Sequence, residues 1–472
     1  MKRLTPLPWA ALAALAALAA CAGPEPQRPV AAEVAQAALP AAAFPRGPAA
    51  ASAAAKPADG PAAHTLPWAQ AFRGARLQRL IPLALANNRD LALAALNVDS
   101  ARATAAARDA DLWPTVNVGI TGSRQPTASG GINSLYTAGL QVTAYELDLF
   151  GRLRGLDAAA AAQLLAASEA AQAVRIALVA SVATTEVALQ ADEALLRLTR
   201  DTVVSRQRSL QLIRQRFEGG VSSEIDLRTA ESALQAARVA LAQTQRQRAL
   251  DENTLVLLIG QAVPADLPPL SGALTDFEPL DELPAGVPAE VLTRRPDIRQ
   301  AERVLAAADA NIDAARAAFF PRITLTGSIG TASGQLSDLF QRSAWSFAPQ
   351  LVQPLFDAGR NRANLAAART ARDIAVTQYE KAIQVAFREV ADALAGRATL
   401  TEQGQAQAAQ VAAELRRLDL AEQRFQGGIA SSLEVLDAQR SLFAAQQALV
   451  QVQSQRAQNG VAVYRVLGGG GR

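Results

Sequence analysis

Gln215-Arg216-Phe217-Glu218-Gly219-Gly220-Val221-Ser222-Ser223 is answered, 208 positions later, by Gln423-Arg424-Phe425-Gln426-Gly427-Gly428-Ile429-Ala430-Ser431. The echo continues through Ala230 and Leu234 against Ala438 and Leu442. Three further anchors keep an offset of 207 or 208: Asp90-Leu91 with Asp297-Ile298, Trp113-Pro114 with Phe320-Pro321, and Ile259-Gly260 with Leu467-Gly468. Anchors in one order at one spacing mark a duplicated unit. Each unit reads as a helix, a strand pair and then a long helical hairpin.

The hairpins set the scale. From Gly151 to about Arg216 there is no proline, and the only later glycine is Gly155. Roughly 66 residues at about 1.5 Å rise predict a helix near 100 Å. A return helix is predicted over Ser223 to Ile259, and the second unit repeats the pair over Gly359 to Gln426 and Ser431 to Leu467. Helices this long do not fit one globular core, so they pack side by side in a coiled-coil-like array. Ala permits close approach, and Gln, Ser, Thr and Arg on several faces fit the wall of a hollow tube. A solvent-exposed coiled coil shares the same periodicity.

The strand pairs alternate. Val116, Val118 and Ile120 oppose Thr115, Asn117 and Thr121; Ala138, Leu140 and Val142 oppose Thr137, Gln141 and Thr143; Ile323, Leu325 and Ile329 oppose Thr324, Thr326 and Ser328. Such alternation predicts half-buried strands. Stretches 112–150 and 319–356 hold 10 of the 20 aromatic residues that follow the leader, Trp113, Tyr136, Phe320, Trp345 and Phe356 among them. Near strand ends these rings suit an aromatic girdle at a lipid boundary, or an ordinary core at a strand–helix joint. Four strands cannot close a barrel in lipid, where an open edge leaves backbone groups unpaired. Spanning strands would therefore be shared between chains; two copies give eight and three give twelve.

The N-terminus reads as an export signal. Lys2 and Arg3 precede a short apolar run that closes on Leu18-Ala19-Ala20-Cys21, the only cysteine. This is the pattern of bacterial lipoprotein signals, in which Cys21 becomes the acylated first residue; ordinary cleavage nearby would leave a free thiol. Ala22 in place of Asp leans to the outer membrane. Without Lys2 and Arg3 the net charge falls from +3 to +1, no field for nucleic acid. His64 is the only histidine, so zinc sites and Ser–His or Cys–His chemistry have no ligands or bases to use. Carboxylate-only hydrolysis stays open chemically, but no pocket-like setting offers it. The expected organisation is a signal over 1–20, an Ala/Pro-rich lipid-anchored tether over 21–65, a first unit over 66–260, a linker over 261–288, a second unit over 289–468 and a tail over 469–472. Strands are expected at about 115–123, 136–148, 322–330 and 344–355, hairpins at about 151–259 and 359–467, and no helix of membrane-spanning apolarity after the signal.

These features resemble the TolC-type outer-membrane efflux proteins, and within them the lipoprotein (OprM/NodT-like) branch. The motifs that carry the resemblance are Asn88-Arg89-Asp90-Leu91, Arg295-Pro296-Asp297-Ile298, Leu149-Phe150-Gly151-Arg152, Asp357-Ala358-Gly359-Arg360 and Leu436-Asp437-Ala438-Gln439-Arg440. The resemblance implies a mixed α and β membrane protein: a homotrimer whose twelve strands form one barrel, continued by a long α-helical barrel with an equatorial belt. It implies passive conduction of drugs or other toxic small molecules, not an enzyme, with a periplasmic adaptor and an inner-membrane pump of the RND class as partners. No cofactor is expected beyond covalent lipid on Cys21. The resemblance places adaptor contact at the tips Gly219-Gly220-Val221 and Gly427-Gly428-Ile429-Ala430, where glycine is also the ordinary helix stop. It places a periplasmic gate at Glu434 and Asp437, where copies would bring carboxylates together as a repelling, cation-attracting iris. Ser431 and Glu434 also have the spacing of a capping box. Glu434 stands where Asp is commoner, Phe425 where Tyr is frequent, and Ala430 where some members carry Arg. Ducts for type I protein secretion or for metal ions share this architecture; a structural coiled-coil envelope lipoprotein would lack the strand pairs.

Overall fold

The structure, a computed structural model, describes residues 31–38, 67–128, 130–274 and 294–469. The export signal and Cys21 lie outside the described residues. The elements are α1 (Ala31–Ala38), α2 (Trp68–Ala71), α3 (Ala75–Asn87), α4 (Arg89–Ala110), β1 (Val116–Pro126), β2 (Ile132–Leu147), α5 (Arg152–Glu218), α6 (Glu224–Ile259), α7 (Pro296–Ala317), β3 (Arg322–Ser333), β4 (Ser343–Val352), α8 (Arg360–Gln426) and α9 (Ser432–Val466). The order α4-β1-β2-α5-α6 is followed by α7-β3-β4-α8-α9. Helices α5 and α8 have 67 residues each, about 100 Å of helix.

The motif that opens each unit has a visible task. Asn88 caps α4, accepting from the Leu91 amide at 2.9 Å, while its side-chain amide donates to the Leu258 carbonyl at 3.0 Å. At the matching place in the second unit Arg295 donates to the Val466 carbonyl at 3.0 Å and pairs with Asp297 (2.7 Å) and Glu389 (2.8 Å). Each motif therefore clasps the last turn of its own hairpin's return helix, where carbonyls lack helical partners.

The four strands form one antiparallel sheet in the order β1-β2-β3-β4. Cross-strand partners Val118, Leu140, Ile329 and Trp345 share one face, whereas Thr121 and Thr137 (2.6 Å) and Ser328 and Ser346 (2.7 Å) bond on the other. A bulge between Val142 and Tyr145, with Ala144 at φ 53, shifts the alternation by one residue. Tyr145 and Leu147 thus stay on the apolar face opposite Leu325 and Ile323. The strands outrun the expected 115–123 and 136–148. Arg124–Ser134, Gln125–Asn133 and Pro126–Ile132 continue the ladder through residues read as loop, because backbone pairing does not need the apolar alternation that marks a strand in sequence. Strands β1 and β4 are the two unpaired edges.

The main core lies where α1, α3 and the stretch after α6 gather around the middle of α5 and α8 and the ends of α6 and α9. Leu77, Leu80, Ile81, Val182, Val187, Ile259, Ile298 and Tyr464 are all buried there. Helix α1 lies within the stretch 21–65 expected as a tether, the rest of which is outside the described residues. Val34, Ala35 and Ala38 fall on one helical face and join Tyr379 and Ile383 in this core; Ala has the best helix propensity, and its small side chain packs closely. Helix α5 departs from the expectation about spanning helices: it contains an 18-residue window apolar enough by composition to cross a membrane. Its apolar run from Ile176 to Leu189 supplies much of this core.

Asp192 of α5 is buried, and its Oδ2 has no hydrogen-bond partner. Burial, then the neighbouring Asp251 carboxyl of α6, raise its pKa to about 7, against the pull of Arg248. A carboxyl raised in the folded chain favours folding while it is protonated, so stability is lost as pH rises from the ordinary 3.8 toward about 7. Thermal unfolding followed in detergent is expected to show a higher midpoint at about pH 5 than at about pH 8. Asp192→Asn is expected to flatten that dependence.

Candidate functional site

The candidate site is the end of the molecule where both hairpins turn. In the first turn the Gly219 amide donates to the Gln215 carbonyl (3.0 Å), Gly220 to Phe217 (2.9 Å) and Val221 to Arg216 (2.9 Å). The second turn repeats the pattern with Gly427 to Gln423 (3.0 Å), Gly428 to Phe425 (3.1 Å) and Ile429 to Arg424 (2.9 Å), and Ala430 adds a bond to Arg424 (3.2 Å). This is a Schellman stop. Only the second glycine of each pair is left-handed, Gly220 at φ 74 and Gly428 at φ 72. The turns push Val221, 77% exposed, and Ile429, 75% exposed, outward.

The two hairpins are fastened to each other just behind the turns. Asp226, in the first turn of α6, accepts from the Ser432 hydroxyl of α9 at 2.6 Å and from the Ser223 hydroxyl at 2.7 Å. Those donors, Ser432 first, hold its carboxyl down at about 2. Buried Arg206 of α5 donates to Gln439 Oε1 (2.7 Å) and to the Leu436 carbonyl (3.3 Å), and Gln439 donates to Ser209 (3.2 Å). Leu436 packs with Ile213, Leu227 and Ala230. The Arg216 guanidinium sits 4.2 Å over the Phe425 ring, a cation–π contact.

The expected gate carboxylates occupy different settings. Asp437 is bound on both oxygens, by Arg417 at 2.5 Å and Arg440 at 2.7 Å. The hydrogen bond from Arg440, then that from Arg417, keep its pKa below the ordinary value. It is thus a carboxylate matched by two guanidiniums of its own hairpin, not a bare charge. Glu434 stands 3.8 Å from Arg424. Ser431 makes no side-chain cap, so the capping box expected at Ser431 and Glu434 does not form; the box forms instead at Ser223 and Asp226. Here Glu434 is drawn toward Arg424 across the turn. Between α6 and α9 runs a groove of about 950 Å³ lined by Arg206, Ile225, Arg228, Leu433, Asp437 and Arg440. Among the described residues no group of three metal-ligating side chains occurs.

The 208-residue offset sets Asp226 at the place of Glu434 in the repeat, while its bond to Ser432 spans 206 residues. The Ser223-x-x-Asp226 spacing was a readable signal for the cap; nothing local signals the cross-hairpin bond.

A family model described as outer membrane efflux protein matches residues 80–261 and 287–469, one match on each unit. The chain is 46% identical over 413 residues to the toluene efflux pump outer membrane protein TtgC of Pseudomonas putida, over 85% of each chain. The antibiotic efflux pump outer membrane protein ArpC of Pseudomonas putida is matched equally, 46% over 413 residues and 85% of each chain. Among solved structures, the open state of the Neisseria gonorrhoeae MtrE outer membrane channel is similar with a TM-score of 0.81 and 36% identity, over 95% of this chain and 98% of that one.

Proposed function

This chain belongs to the outer membrane efflux protein family and is an outer-membrane exit duct for efflux, and from that premise we propose how it is assembled and what it carries. Three copies join their four-stranded sheets into one twelve-stranded barrel, and their long helices continue the bore into the periplasm, with the core around α1, α3 and mid-α5 forming the equatorial belt. The observation that carries this reading is the sheet itself: an apolar face bearing Val118 (81% exposed) and Trp345 (79% exposed), a hydroxyl-lined face, and two open edges. In lipid such edges must be paired, and a purely structural coiled-coil lipoprotein has no use for the sheet.

Conduction is passive, with energy from an inner-membrane pump of the RND class delivered through a periplasmic adaptor. The cargo is of the class that the relatives' names give, antibiotics and small aromatic solvents. Cys21 carries the lipid anchor. The adaptor meets the tips Gly219 to Val221 and Gly427 to Ala430, whose turns expose Val221 and Ile429. The entrance at Glu434 and Asp437 is narrowed by the hairpins, and the arginines around Asp437 temper the repulsion of a carboxylate ring.

The test is complementation. A host lacking its own exit duct regains tolerance to antibiotic or toluene when this chain is supplied with a matching pump and adaptor; tolerance that needs neither partner overturns the reading. A second expectation concerns the tips. Gly220→Val and Gly428→Val place a β-branched residue at a positive φ, costing about 1–2 kcal/mol each. The double variant is expected to keep its conductance in planar bilayers yet lose most of its complementing activity and its co-purification with the adaptor.

A further inference from the structure

The sheet contains its own template for a contact with another copy. Strand β2 of the first unit lies beside β3 of the second, with Val142 opposite Gly327 and Leu140 opposite Ile329. The duplication carries β3 back onto β1 at an offset of 207, as Phe320-Pro321 onto Trp113-Pro114. It carries β2 forward onto β4 at 209, because Val116 opposite Val142 matches Ile323 opposite Leu351. After the bulge the offset is 208. The Tyr145 hydroxyl donates to the Leu112 carbonyl (3.0 Å), and the Gln353 side-chain amide donates to the Phe319 carbonyl (3.2 Å) at the matching place. One extra residue in β2 accounts for the change.

Applied to the free edges, the template pairs β4 with β1 of a second copy. Val142 opposite Gly327 becomes Leu351 opposite Ile120; Leu140 opposite Ile329 becomes Pro349 opposite Gly122. At these two places apolar residues or glycine face one another across the seam, as they do inside the chain, and the next place sets Phe347 opposite Arg124 where the chain has Ala138 opposite Thr331. The base of the seam differs in chemistry. Inside the chain it is closed by Glu146 bound to Arg322 and by Phe150 stacked on Phe320 at 4.9 Å. The matching positions for the ion pair are Pro354 and Thr115, which cannot form one. In its place the free edges carry large apolar side chains. Leu355 is 94% exposed and Phe356 90% exposed beside β4, and Trp113, the counterpart of Phe320, is 70% exposed beside β1. Phe356 lies two residues before the position that matches Phe150.

We propose that a second copy of this chain completes each sheet edge in the register of the internal β2–β3 pairing, setting Leu351 opposite the neighbouring copy's Ile120 and packing Leu355 and Phe356 on the neighbouring copy's Trp113. The proposal rests on the shared-barrel reading above. It adds the register and an aromatic clasp that replaces the internal ion pair.

Oxidative cross-linking in membranes tests it. Directly opposed antiparallel residues have Cα atoms about 4.5–5.5 Å apart, within disulfide reach. The pair Ile120→Cys with Leu351→Cys is expected to give covalent oligomers, whereas either single variant and the slipped pair Ile120→Cys with Phe347→Cys give none. Cross-linking by the slipped pair, or by neither pair in protein whose mass shows an oligomer, overturns the register and leaves the channel reading intact. A monomer by mass, without conductance, fails the channel reading itself. The clasp has its own readout. Trp113→Ala and Phe356→Ala each lower the temperature at which detergent-resistant oligomers dissociate, and the double variant falls short of the sum. Additive shifts would put the two rings apart, as a girdle facing lipid.

Discussion

Asp226→Ala is expected to raise the mean conductance of the purified channel in planar bilayers several-fold, and Asp226→Ala with Gln439→Ala to raise it further. The reason is where these side chains lie. Asp226 is the acceptor for buried Ser432, and Gln439 is the side-chain acceptor for buried Arg206. Both bonds cross from the first hairpin to the second, just behind the turns. Leaving a buried donor unpaired costs about 1–3 kcal/mol. A loss of about 1.4 kcal/mol shifts a two-state equilibrium tenfold. Each substitution thus favours an arrangement in which the end of α9 swings free of α5 and α6. Asp437→Ala also raises conductance, but less, because Arg417 and Arg440 belong to the same hairpin as Asp437. Conductance unchanged in the double variant would remove these bonds from control of the entrance. Acid acts in the same direction. A carboxyl depressed in the folded chain contributes stability above its ordinary pKa, lost as pH falls from 3.8 toward about 2. The Asp226 tie therefore holds from neutrality down to about pH 4 and weakens only below it.

Arg295→Ala is expected to cause the largest loss of stability, about 3–5 kcal/mol, by breaking a buried ion pair and leaving its partners uncompensated. Its side chain is 9% exposed and binds Asp297, Glu389 and the Val466 carbonyl at once. It joins the start of α7 to mid-α8 and to the end of α9. Arg295→Lys cannot reach three acceptors with a planar fork and recovers only part of the loss. Asn88→Ala, at the matching place in the first unit, removes a cap and a neutral bond and costs about 1–2 kcal/mol. Chemical unfolding in detergent, read as the shift in midpoint, checks both magnitudes and their order. Equal shifts would mean that the clasp works without the ion pairs.

Much of this architecture is legible in the sequence because it is local and repeated. The helix stops at Gly220 and Gly428 and the alternation at Val116 to Ile120 depend on neighbours a few residues away, and the duplication states each pattern twice. What the sequence hides is long-range. Ser432 finds Asp226 across 206 residues, and the Ser431 capping spacing goes unused because Glu434 turns toward Arg424. The Ala/Pro-rich stretch looks too poor to build a core, yet Val34, Ala35 and Ala38 need only a surface prepared by Tyr379 and Ile383. The iris of bare carboxylates read at Glu434 and Asp437 leaves out Arg417, 20 residues before Asp437 on the facing helix. Periodicity identifies such a helix face without naming the side chain that crosses to it.

The four-stranded sheet is taken here as one third of a closed wall, and the number of chains that share that wall is the quantity to measure. Native mass spectrometry of the detergent-extracted protein is predicted to give one dominant species with the mass of three chains. A monomer, or a complex of two chains, would contradict the account.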